Sequence, residues 1–309
     1  VTFILCLFFF NLVLATLTVG AGTGFNDKPD LHPSFYNTDW MAFLPDETPL
    51  SAIAIPGSHE SLTLYGGPLT VCQVWTLKKQ LRVGIRYLDV HAGIWFPTQK
   101  KIYIRDGIWM FWQHMDLGEV LKQISDFLKI HKNETVLLKL TLHGLYKSKV
   151  EDLVKTMIGK FQNTVWTKMS VPKIKQVRGK IVFLRSETFH SGADNEKNTL
   201  FESNKLKNVK EKMKQMKSRI CAHQIVVTET AATALRSPKS LARRVNLQLS
   251  ELIQKHKTLS LNPACLGVFS MDFPSAETIK ESVSILPGEE PKSTIQPGEE
   301  PESTASTTE

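Results

Sequence analysis

Several stretches of this chain place a titratable or cationic residue directly after a run of apolar, β-branched residues. They are Ser58-His59-Glu60, Asp89-Val90-His91, Asp106-Gly107, His143, Arg185 and Asp272. Histidine and carboxylate are the side chains of proton transfer, and arginine is the side chain of phosphate and carboxylate recognition. Taken singly, each of these residues is more often a solvated loop residue or a satisfied structural group. Their recurrence at successive strand ends is what singles them out, because ligands of parallel α/β sheets bind beyond the carboxyl ends of the strands.

The elements that must position them follow from patterning. Apolar runs predict strands at Ala52–Ile55, Ile85–Val90, Thr135–Leu142, Ile181–Leu184, Ile225–Val227 and Leu266–Met271, with a shorter one at Lys101–Ile104. Between them, helical periodicity predicts helices at Val74–Val83, Leu117–Lys129, Lys149–Phe161, Lys205–Ile220 and Leu241–His256. Such alternation is the mark of βα units around a parallel sheet. Periodicity leaves open whether that sheet closes as a (β/α)8 barrel or stays doubly wound.

The ends differ from the body. Residues 1–21 form an uncharged apolar run closing on small residues, which reads as a secretory signal peptide and an exported, extracellular protein. An uncleaved membrane anchor is the alternative. Residues 22–50 read as an N-terminal extension, 51–286 as the main domain, and 287–309 as a disordered acidic tail built on two Pro-Gly-Glu-Glu-Pro repeats. The whole chain of 309 residues carries 38 Lys and Arg against 30 Asp and Glu. The tail takes one Lys and six Glu of these, leaving 37 basic and 24 acidic residues, a net +13 that suits an anionic partner such as a phospholipid membrane or a phosphate-bearing substrate. Cys72, Cys221 and Cys265 allow one disulfide and a free thiol, and their spacing does not suggest zinc. Asn133-Glu134-Thr135 is a glycosylation sequon, which places Asn133 on the surface.

Three segments invite a membrane reading. Trp95 and Phe96 are read equally well as a rim dipping into lipid or as core, whereas Phe111 and Trp112, just before a predicted helix, read as core. The lysine-rich amphipathic stretch 205–219 fits an outer helix of the domain better than a helix lying on a membrane. No nucleic-acid module or aromatic interleaving is present, so DNA and RNA are not expected partners.

IPGSHES at 55–61, GIRYLDVHAG at 84–93, IRDG at 104–107, the segment 112–140, VRGKIVFLR at 177–185 and LGVFSMDFP at 266–274 stand in one order. In these segments the chain resembles the phosphatidylinositol-specific phospholipase C family in its single X-domain form. The resemblance implies a TIM barrel, distorted or incomplete, and a phosphoric diester hydrolase acting on a phosphoinositide or related headgroup. It implies His59 as the base that deprotonates the inositol 2-hydroxyl, Asp272 as the carboxylate that fixes its tautomer, and Arg185, with His143, in the headgroup pocket. The family's second histidine is replaced by Asp106, and the arginine of bacterial members by His91. Calcium-dependent members have an Asn after the first histidine and a Glu-x-Asp on the next strand, where this chain has Glu60 and Tyr87-Leu88-Asp89. Glu60, Asp89, Asp106 and His91 are therefore also a candidate site for a hard divalent cation, Ca²⁺, Mg²⁺ or Mn²⁺, that would supply the missing positive charge. The competing reading is a non-catalytic module that binds phospholipid or inositol-phosphate headgroups.

Overall fold

The structure is a computed structural model describing residues 22–199, 201–202, 205–206, 225–230, 237–259 and 266–285. The apolar runs form parallel strands: β1 (Ile55–Ser58), β2 (Tyr87–Gly93), β5 (Val136–His143), β6 (Val165–Trp166), β7 (Ile181–Leu184), β8 (Asn195–Thr199), β11 (Ile225–Glu229) and β12 (Val268–Met271). Their order across the sheet is β6-β7-β5-β2-β1-β12-β11-β8. The sheet curls until a parallel bridge between Leu184 and Ala193 ties β7 to the residues leading into β8. The chain is thus an α/β barrel whose ring is drawn together at one seam.

Helices cover the outside. They are α1 (Leu77–Val83), α2 (Leu117–Ile130), α3 (Lys147–Gly159), α4 (Ile174–Val177), α5 (Pro238–Leu259) and α6 (Ala276–Val283). With helices outside and packed side chains within, β1, β7, β11 and β12 are buried at every position. β5 opens most, since its Lys139, Thr141 and His143 are partly exposed along one face. The start of α2 is set by a capping box in which Asp116 accepts from Glu119 N while Glu119 accepts from Asp116 N.

Several expectations shift. The first strand begins at Ile55, because Leu50–Ala52 forms a 3-10 turn whose Leu50 N–H bonds Pro172 O; the shift brings His59 to the position just after the strand. The predicted strand at Lys101–Ile104 becomes β3 (Tyr103–Arg105), which runs antiparallel to β2 and pairs with β4 (Trp112–Asp116) in a hairpin outside the parallel path. Lys205–Leu206, expected to open a helix, forms strand β10, antiparallel to β9 (Phe201–Glu202). The rest of that basic segment, the apolar N-terminal run, the repeat tail, Cys221 and Cys265 lie outside the described residues.

Residues 22–50 are part of the same core, with Trp40, Met41, Leu44 and Leu50 buried. What fastens them is a fully buried ion pair. Arg86 Nε donates to Glu134 Oε2 at 2.7 Å, Glu134 Oε1 accepts from Met41 N at 2.8 Å, and Arg86 Nη2 donates to Thr38 O at 2.8 Å. Glu134 is the middle residue of the sequon; its neighbour Asn133 is exposed, as expected, and the Thr135 hydroxyl donates inward to Val177 O.

Candidate active site

His59 leaves the barrel at the carboxyl end of β1, and two backbone bonds hold it there. Its N–H donates to Met271 O, and Gln73 Nε2 donates to both His59 O and Met271 O. Since β1 and β12 pair in register from Ile55–Val268 to Ser58–Met271, the next residues on the two strands, His59 and Asp272, stand side by side. His59 Nδ1 lies 2.9 Å from Asp272 Oδ1, with Asp272 1% exposed. On the other side, β2 presents Asp89 and His91 at alternate positions, so both point to one face. Asp89 Oδ2 is 3.9 Å from His59 Nε2 and 3.5 Å from His91 Nε2. His91 Nδ1 in turn meets His143 Nε2 at 2.8 Å, from the end of β5. The continuous chain Asp272, His59, Asp89, His91, His143 is therefore carried by the ends of four neighbouring strands, β12, β1, β2 and β5.

Electrostatics separates the three rings. Burial opposes charge on His59, but Asp272, then Asp89 and Glu60, outweigh it and raise the pKa to about 10. On His91 burial is likewise opposed by Asp89 and Glu60, and the net shift is upward. His143 goes the other way, lowered to about 4 by burial and by the neighbouring His91 and Lys147. Asp89, although buried, is pushed down by His91, His59 and Lys139. The site thus holds the His59 imidazolium beside the Asp89 carboxylate, with the charged ring favoured at His91 and the neutral ring at His143.

Asp106 is at the mouth but points elsewhere. Its Oδ1 accepts from Ile108 N at 3.0 Å and Trp109 N at 2.5 Å, and its Oδ2 accepts from Phe111 N. Both oxygens are spent folding the 107–111 loop. Gly107 then lies so close to the site that a Cβ there would meet Glu60 Oε1 and His91 Nδ1 at 2.5 Å each, so the loop needs glycine at that position. Glu60 is similarly engaged, accepting from Gly107 N at 3.2 Å and from the Thr63 hydroxyl at 2.9 Å. The expected cation set is therefore not assembled. Among the described residues Glu60, Asp89, Asp106 and His91 do not converge as a group of ligands, and each of the three carboxylates already accepts from a backbone N–H. These residues do not fit a hard cation.

Arg185 stands at the end of β7 but is exposed and faces Asp194, 3.6 Å away, with no bond to the histidine cluster. A cation that sequence reasoning missed lies nearer. Lys139, register partner of Asp89 on β5, sits 3.4 Å from Glu229 Oε1, and Lys197 pairs with the other oxygen of Glu229. A lysine as the one charge in the run Val136–Leu142 was its signal, since a charge is rarely placed inside a sheet without a partner.

The mouth is ringed by exposed aromatics. Trp95 is 54% exposed, Phe96 66% and Trp109 55%, and Tyr65, Phe111 and Trp112 are also exposed. This corrects the reading of Phe111 and Trp112 as core: Trp112 lies on the outlying hairpin, and Phe111 in its turn.

Residues 47–187 match the family described as phosphatidylinositol-specific phospholipase C, X domain. A 1-phosphatidylinositol phosphodiesterase of Listeria monocytogenes is 26% identical over 289 residues, covering 83% of this chain and 87% of that protein. PI-PLC X domain-containing protein 3 of Danio rerio is 27% identical over 39% of this chain and 48% of its own length. The solved phosphatidylinositol-specific phospholipase C from Listeria monocytogenes superposes with a TM-score of 0.66 at 25% identity, over 81% of this chain and 98% of that one. A double mutant of the phosphatidylinositol-specific phospholipase C from Staphylococcus aureus shares the fold, with a TM-score of 0.63 at 19% identity over 84% of this chain and all of that one. Residues 47–187 thus match the X domain of phosphatidylinositol-specific phospholipase C, and they lie on a barrel of that enzyme's fold with His59 and Asp272 at the mouth.

Proposed function

We propose that the chain cleaves the phosphodiester of a phosphatidylinositol lipid, with His59 as general base and the His91–His143 pair in place of both the missing arginine and the missing acid. The observation that carries this is the pairing of His59 with Asp272 at 2.9 Å while His91, 3.5 Å from the shared Asp89, sits across the same mouth. His59 Nε2 takes the proton of the inositol 2-hydroxyl, and that oxygen attacks phosphorus. Asp272 holds Nδ1–H and stabilises the imidazolium that forms. His91, whose charged ring Asp89 and Glu60 favour, offers positive charge to the phosphorane-like transition state, and the pair supplies the proton for the departing diacylglycerol oxygen. Lys139 adds charge from the neighbouring strand. Asp89 Oδ1, buried without a hydrogen-bond partner among the described residues, is free to accept a substrate hydroxyl.

The test is headgroup release from phosphatidylinositol vesicles by folded, chelator-treated protein. Release should occur, and His59→Ala should lower it about 10²–10⁴-fold. Saturable vesicle binding without release would instead support the non-catalytic headgroup module. An unchanged rate in folded His59→Ala would move the site elsewhere.

A further inference from the structure

Cys72 belongs to no strand, yet the fold fixes it at the base of the site. It lies in the loop between β1 and α1, where its N–H donates to Thr63 O at 3.1 Å and its carbonyl accepts from Phe273 N at 3.0 Å. The second bond lays the residue against the end of β12, beside Asp272. As a result Cys72 Sγ, a ring nitrogen of His59 and a carboxylate oxygen of Asp272 all lie within 4.8 Å of one another. Cys72 and Asp272 are buried, at 3% and 1% exposure, while the His59 side chain keeps 17%, an open edge at the mouth of the barrel.

An imidazole, a thiolate and a carboxylate are the three donor types of zinc. Tetrahedral zinc holds N and O at about 2.0–2.2 Å and S at about 2.3 Å, so its ligand atoms stand roughly 3.3–3.8 Å apart. The present cluster needs to contract by about 1 Å at its widest and to open by a few tenths between His59 and Asp272, with the fourth position left to water. The geometry points to His59, Cys72 and Asp272 as a zinc-binding site that occupies the very imidazole needed as base. No pattern in the sequence shows it, because the three residues come from a strand end, a loop and a distant strand end.

Coordination balances in charge. One Zn²⁺ enters, the Cys72 S–H proton and the His59 ring proton leave, and two protons are released for two positive charges gained. The surrounding carboxylates Asp89 and Glu60 and the ring of His91 face the same net charge before and after, which spares a buried site the cost of an uncompensated ion. With zinc on its nitrogen, His59 cannot accept a substrate proton, so the ion is a reversible inhibitor if the proposed chemistry holds. Binding itself does not depend on that chemistry.

The experiment is titration of the full chain with Zn²⁺ by calorimetry in buffers of different ionisation enthalpy, and with Co²⁺ by absorption. We expect one ion per chain, two protons released, and a near-ultraviolet thiolate-to-cobalt charge-transfer band. Cys72→Ser should lose the band and bind zinc at least about tenfold more weakly, whereas Cys221→Ser with Cys265→Ser should keep both. A wild-type cobalt spectrum without the thiolate band, or zinc affinity unaltered in Cys72→Ser, overturns the site. The wild-type spectrum reads the thiolate directly, so the answer does not hang on the folding of a variant. Stoichiometric zinc that left headgroup release untouched would support the site and count against His59 as the base.

Discussion

Asp106 occupies the place of a family histidine, and its surroundings decide what it does there. A carboxylate accepting three backbone N–H groups in one loop is a fastening, and a ring at this position could satisfy at most one of those donors. Asp106→His should therefore not restore an acid. We expect it to cost about 2–4 kcal/mol of stability through the stranded donors, measured by chemical denaturation, with headgroup release falling rather than rising. A gain in chelated activity would show that the 107–111 loop tolerates the ring and that the family arrangement can be rebuilt. His59 carries a second prediction. The free protein holds it as the imidazolium up to about pH 10, and a base must be unprotonated to act, so kcat/KM should climb with pH through the neutral range and beyond. A profile already flat above pH 7 would contradict that. His59, Asp272, His91 and His143 were legible in the sequence as strand-end residues. Apart from Asp272 beside His59, the pairings that set their charge were not, because Asp89 reaches both His59 and His91 only once β1 and β2 are paired.

Among the elements, runs of Val, Ile and Leu were readable wherever they end up covered by helices, which is why β7 matches its expected range. β4 was unreadable for the opposite reason. Trp112–Asp116 lies outside the ring with one face to solvent, and its residues alternate too weakly to announce a strand. The same hairpin delivers Asp106 and Gly107, so the sequence offered those two residues without the geometry that turns them toward the loop. Arg86 and Glu134 do comparable work at the other end of the barrel. Loss of either would leave its partner buried and uncompensated, about 3–5 kcal/mol, and would release residues 38–41 from the barrel floor.

At the scale of the whole molecule, the catalytic mouth and the exposed aromatics share one end of the barrel, with Arg105 stacked 5.0 Å from the Trp95 ring. A lipid substrate is presented at a surface, and tryptophan gains most where apolar and polar phases meet. Trp95→Ala combined with Trp109→Ala should weaken partition onto phosphatidylinositol vesicles by about tenfold or more, at a few tens of Å² of lost apolar contact per ring, while cleavage of a soluble short-chain substrate changes far less. Equal losses on both substrates would assign the rings to packing.

The seam between Leu184 and Ala193 has a mechanical meaning. Neighbouring strands elsewhere in the ring share ladders of up to seven register positions, as between β2 and β5. Here the described residues offer one bridge, carried by Arg185 N to Ala193 O and Ala193 N to Phe183 O. Two hydrogen bonds are worth about 1–3 kcal/mol net, within the range of local opening. The barrel is therefore built like a split washer: it can spread at the slit without disturbing the ladder that holds the histidines. Amide exchange should be fast at Arg185 and Ala193 and slow at Leu138 and Val90, and a ring that exchanged evenly all round would be a closed one.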